Sequence, residues 1–218
     1  WSAALAIFQL GGSGGGTVIQ QAQNSPLHGI NPAYCKSAEW FVDEEHRHAE
    51  ILSGCVKSLD GECIQHNRTA DPAVFGERLM GLRFKSLVPL AAEVVGICYY
   101  KLLAMRLPAG QVRDLVDGLA KDEKAHLKFH SGFPRLYVQG ILPGLIFGPV
   151  WRLATYAASI VVTIDHRHAL KQMDISLKPV WQRWMFPVHE TEKQITTTKP
   201  DCQFLQQVNI DYQLYAIR

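Results

Sequence analysis

Two strings in this chain pair a carboxylate with an imidazole at one spacing: Glu45-His46-Arg47-His48 and Glu123-Lys124-Ala125-His126. Each reads Glu-x-x-His, and each follows directly on another acid, Glu44 or Asp122. Residues i and i+3 share a face of an α-helix, so each string would present a carboxylate and an imidazole side by side. These are donors for divalent first-row metals, and two such pairs make half a metal cage.

One Glu-x-x-His alone is commonly a solvated pair on a helix surface. A helix bundle can make more of two, when two helices each give Glu-x-x-His and the other two each give a lone Glu. Glu93 meets that need, lying between the apolar runs Leu87–Ala92 and Val94–Leu103, where a charge must have a reason to be buried. With a turn at Leu107-Pro108-Ala109-Gly110, Glu93 and Glu123 both fall roughly 21 to 23 Å from it at about 1.5 Å per residue, so an antiparallel hairpin brings them level. The same offset applied to the first half points to Gly15, within Gly11-Gly12-Ser13-Gly14-Gly15-Gly16, and no acid occurs before Glu39. One bridging carboxylate of the design is therefore missing.

Helices must carry these groups. Residues 2 to 23 read as a weak first helix, because each interior Gly costs about 1 kcal/mol against Ala. Ser25 to Pro32 is a connection, and a second helix is expected over about 33 to 59, with Phe41, Glu45, His48, Leu52, Cys55, Val56 and Leu59 on its inner stripe. Asp60-Gly61 ends it, and Asn67 to Asp71 is loop. A third helix is expected over 72 to 106 with the stripe Leu79, Leu82, Leu90, Glu93, Ile97, Tyr100 and Leu103, kinked at Pro89. A fourth, over 109 to 131, carries Val112, Leu115, Val116, Leu119, Glu123, His126, Leu127 and His130, and closes at Ser131-Gly132-Phe133-Pro134.

The segment from Tyr137 to Ile164 is the most apolar in the chain, with Arg152 its only formal charge. Pro143, Gly144, Gly148, Pro149 and Arg152 divide it into a short turn and a helix over 150 to 172, which argues against a single membrane span. A fifth helix packed on the bundle is expected, with docking at a membrane surface as the alternative. An amphipathic helix from Leu177 to Ile195, containing Trp181, Trp184 and Met185, precedes a polar tail.

The strings Asp43-Glu44-Glu45-His46-Arg47-His48-Ala49-Glu50 and Asp122-Glu123-Lys124-Ala125-His126 resemble the metal-binding strings of the ferritin-like di-iron carboxylate superfamily. The resemblance covers roughly residues 1 to 131. It implies an all-α fold, a ferritin-like antiparallel four-helix bundle over 1–135, with additional C-terminal helices over 136–195 and a tail over 196–218. It also implies two irons, or manganese instead, with Glu45 and Glu123 bridging or chelating, His48 and His126 each ligating one metal, and Glu93 terminal or bridging. Glu44 and Asp122 would accept hydrogen bonds from the imidazole N–H groups and fix their tautomers. The departure is Gly15, which has no donor atom.

The expected activity follows the metal: an O2-dependent oxidoreductase acting on an unknown small molecule, impaired by the lost carboxylate. A metal-free bundle with a structural or interaction role is the alternative, and a ferroxidase or iron-storage subunit a further one, disfavoured by some 85 residues of extra chain. Tyr100, two turns past Glu93, reads as a redox or hydrogen-bonding neighbour or as a core tyrosine. His130 reads as a core or rim histidine rather than a further ligand. The Asp165 and His168 pair fits a solvated helix end.

Composition sets the outer bounds. A chain of 218 residues suits one domain with appended helices. A formal charge of +2 argues against nucleic-acid partners. Five cysteines at 35, 55, 63, 98 and 202 form no Cys-x-x-Cys, the expected state being reduced thiols in a cytoplasmic protein, with a homodimer allowed. Trp1, inside an apolar run, gives the expectation of a truncated N-terminus.

Overall fold

The computed structural model describes residues 2–11, 32–64, 87–138, 141–175 and 177–197. Every regular element among them is an α-helix: α1 (Ser2–Gly11), α2 (Pro32–Ser58), α3 (Leu87–Arg106), α4 (Gln111–Tyr137), α5 (Ile141–Asp165), α6 (Arg167–Gln172) and α7 (Leu177–Thr197). The all-α expectation holds for these residues. Gly15, the connection from Ser25 up to Pro32, the Asn67 to Asp71 loop, Leu79, Leu82 and the tail beyond Thr197 lie outside them. The helices fall into two compact units, α1 and α2 in one and α3 to α7 in the other.

In the first unit α1 packs along α2. Ala4, Leu5 and Ala6 of α1 and Ala38, Phe41, Leu52, Cys55 and Val56 of α2 are buried. That reproduces most of the stripe read from 3.6-residue periodicity. Asp60 and Gly61 stop α2 as expected. Asp60 takes a left-handed φ of 53°, its N–H donates to Lys57 O, and the Gly61 N–H donates to Val56 O at 2.9 Å. These paired bonds satisfy carbonyls that the helix end leaves open. A Cβ on Gly61 would collide with the Ser2 side chain, so the absence of a side chain there lets α1 approach.

In the second unit α3 is the central helix, packed against α4, α5 and α7. It is buried nearly all round, from Leu87 and Leu90 to Leu102 and Leu103, as an apolar helix without a polar face must be. Leu87, Leu90, Ala91 and Val94 form one core with Phe147 and Trp151 of α5 and Val188 and Ile195 of α7. Trp151 is fully enclosed and donates its indole N–H to Val188 O at 3.0 Å. Beside it Arg152 makes a two-pronged pair with Glu192 at 2.7 and 2.8 Å.

Two boundaries differ from expectation, while the expected stretch of the third helix before Leu87 lies outside the described residues. The fourth helix does not close at 131 to 134 but runs through Gly132 and Pro134 to Tyr137. Phe129, His130, Ser131 and Phe133 are buried along that stretch, and packing outweighs one lost hydrogen bond. Likewise α5 continues through Gly148 and Pro149, held by the enclosed Phe147 and Trp151, and after a break at His166 the helical path reaches Gln172 in α6, where the end was expected.

The opposite face of α5 is not covered. Leu153 is 71% exposed, and Leu145, Ile146, Ile160 and Ile164 are exposed as well. Two helices, Leu87–Arg106 and Leu145–Asp165, are long and apolar enough to cross a membrane by length and composition, the first largely buried in protein.

Candidate metal centre

The turn at 107 to 110 joins α3 and α4 where the sequence placed it, with Gly110 at φ 151° heading α4. The hairpin then brings Glu93 to the Glu123-His126 pair. His126 Nδ1 lies 3.1 Å from Glu123 Oε2 and 3.8 Å from Glu93 Oε2. With a proton on Nδ1 the shorter contact is a hydrogen bond donated to the carboxylate. Without that proton the same two atoms are neighbouring donors to a cation.

One turn on, His130 Nε2 lies 3.5 Å from the other oxygen of Glu93. Glu123, His126 and His130 share one face of α4 at i, i+3 and i+7. All four side chains are enclosed, His126 completely. Burial, reinforced by His126 and opposed by Glu123, pushes the His130 imidazole down to about 3, so it stays neutral. Neutral imidazole is the ligand form of histidine. Val94 and Ile97 of α3 and Leu119 and Ala120 of α4, within a turn of the acids, are buried and keep the surroundings apolar.

Burying two carboxylates costs several kcal/mol per charge unless opposite charge compensates. A divalent cation would compensate both at once. Donors bound at about 2.1 Å stand about 3.0 to 3.4 Å apart in octahedral or tetrahedral geometry. The 3.1 Å between Glu123 and His126 falls in that range and the 3.8 Å between Glu93 and His126 is longer, and mixed oxygen and nitrogen donors are of the kind that iron or manganese takes.

In the first unit, α2 sets Glu45 beside His48, with Oε1 and Nδ1 3.7 Å apart. His48 is buried and Glu45 half-buried, whereas His46 points to solvent. Glu44 accepts a hydrogen bond from Arg47 at 2.8 Å. Asp122 is half-buried. Leu115, expected on the inner face of α4, is at its margin, 36% exposed. Tyr100 is buried in α3 as the stripe requires.

The neighbouring Tyr99, which the sequence did not single out, shares a hydrogen bond between its hydroxyl and His166 Nδ1 at 2.7 Å. Burial holds that phenol well above its ordinary range and pushes His166 down to about 4 against the opposing pull of Asp165. Both partners are therefore neutral near pH 7. His168, by contrast, is exposed, as a solvated helix end predicts. Trp151, Thr155, Ser159, Thr163 and His166 follow one another at helical spacing on the buried face, and that series was the available signal that His166, not His168, faces inward.

Compared with family models, curated proteins and solved structures, the chain gives no match in any of the three.

Proposed function

We propose that this chain is a ferritin-like metal-carboxylate protein of oxidoreductase type, with iron, or manganese, held by Glu93, Glu123 and His126 in the helical core. The observation that carries this reading is Glu93 standing level with the Glu123-His126 pair, with 3.8 and 3.1 Å separations inside an apolar core. Glu45 and His48 repeat the same string, and the assignment of both strings to one two-metal centre rests on that repeat in sequence. Iron, when bound, supplies reaction with O2 and oxidation of a small substrate.

The chain's own part is binding, charge balance and exclusion of water. Glu93 and Glu123 supply two negative charges, and His126 supplies a nitrogen donor. The buried Val94, Ile97 and Leu119 keep competing water out and raise the strength of each ionic contact. Gly15, where a carboxylate is expected, favours a second reading in which the bundle is kept for structure or interaction without metal.

Anaerobic Fe(II) loading followed by exposure to O2 tests the enzymatic part. The reading expects O2 consumption faster than that of the same Fe(II) free in buffer, and its loss in Glu123→Gln. Equal rates for the loaded chain, the variant and free Fe(II) would remove the oxidoreductase assignment.

A further inference from the structure

We propose that His130 is a further metal ligand, binding through Nε2 to the ion that Glu93 holds. The inference rests on the metal reading above and deepens it. Glu93 stands between two imidazoles of α4, one facing each carboxylate oxygen: His126 Nδ1 at 3.8 Å from Oε2 and His130 Nε2 at 3.5 Å from Oε1. Both separations are longer than a good hydrogen bond, and the shorter, that of His130, is near the edge length between two donors on one cation.

The sequence order explains how one helix can do this. Glu123, His126 and His130 occupy i, i+3 and i+7, about two turns of a single face, and α3 lays Glu93 across that face. His130 is 5% exposed, so its ring is committed to the interior rather than to solvent. A nitrogen donor from α4 also restores one of the donors the sequence lacks at Gly15. The result is a site with more histidine than two Glu-x-x-His strings alone would give.

The test uses the full chain with Zn(II) as a diamagnetic probe and 15N-labelled histidine. On titration the His130 Nε2 resonance is expected to move into the metal-bound range together with that of His126. A shift at His126 with His130 unmoved would overturn the inference and leave the metal reading standing. No shift at either ring would overturn both. As a second arm, His130→Gln, checked for helicity by circular dichroism, is expected to weaken Mn(II) binding at least about tenfold. Affinity unchanged in that variant, alongside its loss in Glu93→Gln, would again overturn the role of His130 alone.

Discussion

On the proposed metal reading, Glu93 serves function against stability. Glu93 is buried beside His126 and His130, a placement that costs free energy unless hydrogen bonds or opposite charge compensate the carboxylate. Glu93→Leu should therefore raise stability in the presence of chelator, on the order of 1 kcal/mol by urea unfolding, while abolishing metal uptake. A loss of stability instead would mean that Glu93 is kept for packing. The Tyr99 and His166 pair gives a second residue-scale outcome. An unfolded histidine takes up its proton near 6.5 and the folded one only near 4, so the unfolded state binds more protons between those values. The stability His166 contributes is thus complete above pH 6.5, falls as pH drops towards 4 and is flat below. The loss is about 3 kcal/mol, and a His166→Gln variant unfolded at pH 7.5 and 4.5 should show a shallower dependence. An identical dependence would place the acid sensitivity elsewhere.

At the scale of elements, the two faces of α5 should respond differently to truncation. Trp151→Ala opens a cavity in the core shared by α3, α5 and α7 and loses the bond to Val188, with an expected cost of about 3–5 kcal/mol. Leu153→Ala, on the exposed face, should change stability by less than about 0.5 kcal/mol. Thermal unfolding of both variants checks the contrast. Similar losses in both would mean that the exposed face of α5 is covered. Helix α2 also ends on a left-handed Asp60, where Asp60→Gly should stabilise by up to about 1 kcal/mol in the same assay. Most of these elements were legible as 3.6-residue periodicity, including the 107 to 110 turn that sets Glu93 level with Glu123. The end of α4 and the start of α5 were not, because Gly132, Pro134, Gly148 and Pro149 are local signals for a break. The burial of Phe133 and Trp151, a tertiary effect, outweighs them. The inward position of His130 was legible from spacing, which puts it on the face of His126, but only packing shows which carboxylate oxygen it meets.

At the scale of the whole molecule, the account requires a helical scaffold that spends buried positions on acids and imidazoles in order to hold metal. A scaffold kept only for packing gains nothing from enclosing Glu93, Glu123, His126 and His130 together. The two versions of the metal reading differ in number. If the Glu45 and His48 string completes a two-metal centre, loading approaches two ions per chain, and if the lost carboxylate at position 15 disables one site, it approaches one. Gly15→Glu should then raise occupancy towards two. The most direct measurement is metal per chain after anaerobic loading of the full chain with Fe(II), removal of free iron and elemental analysis. The account predicts about one to two Fe per chain, lost in Glu123→Gln, whereas less than about 0.2 Fe per chain would contradict it.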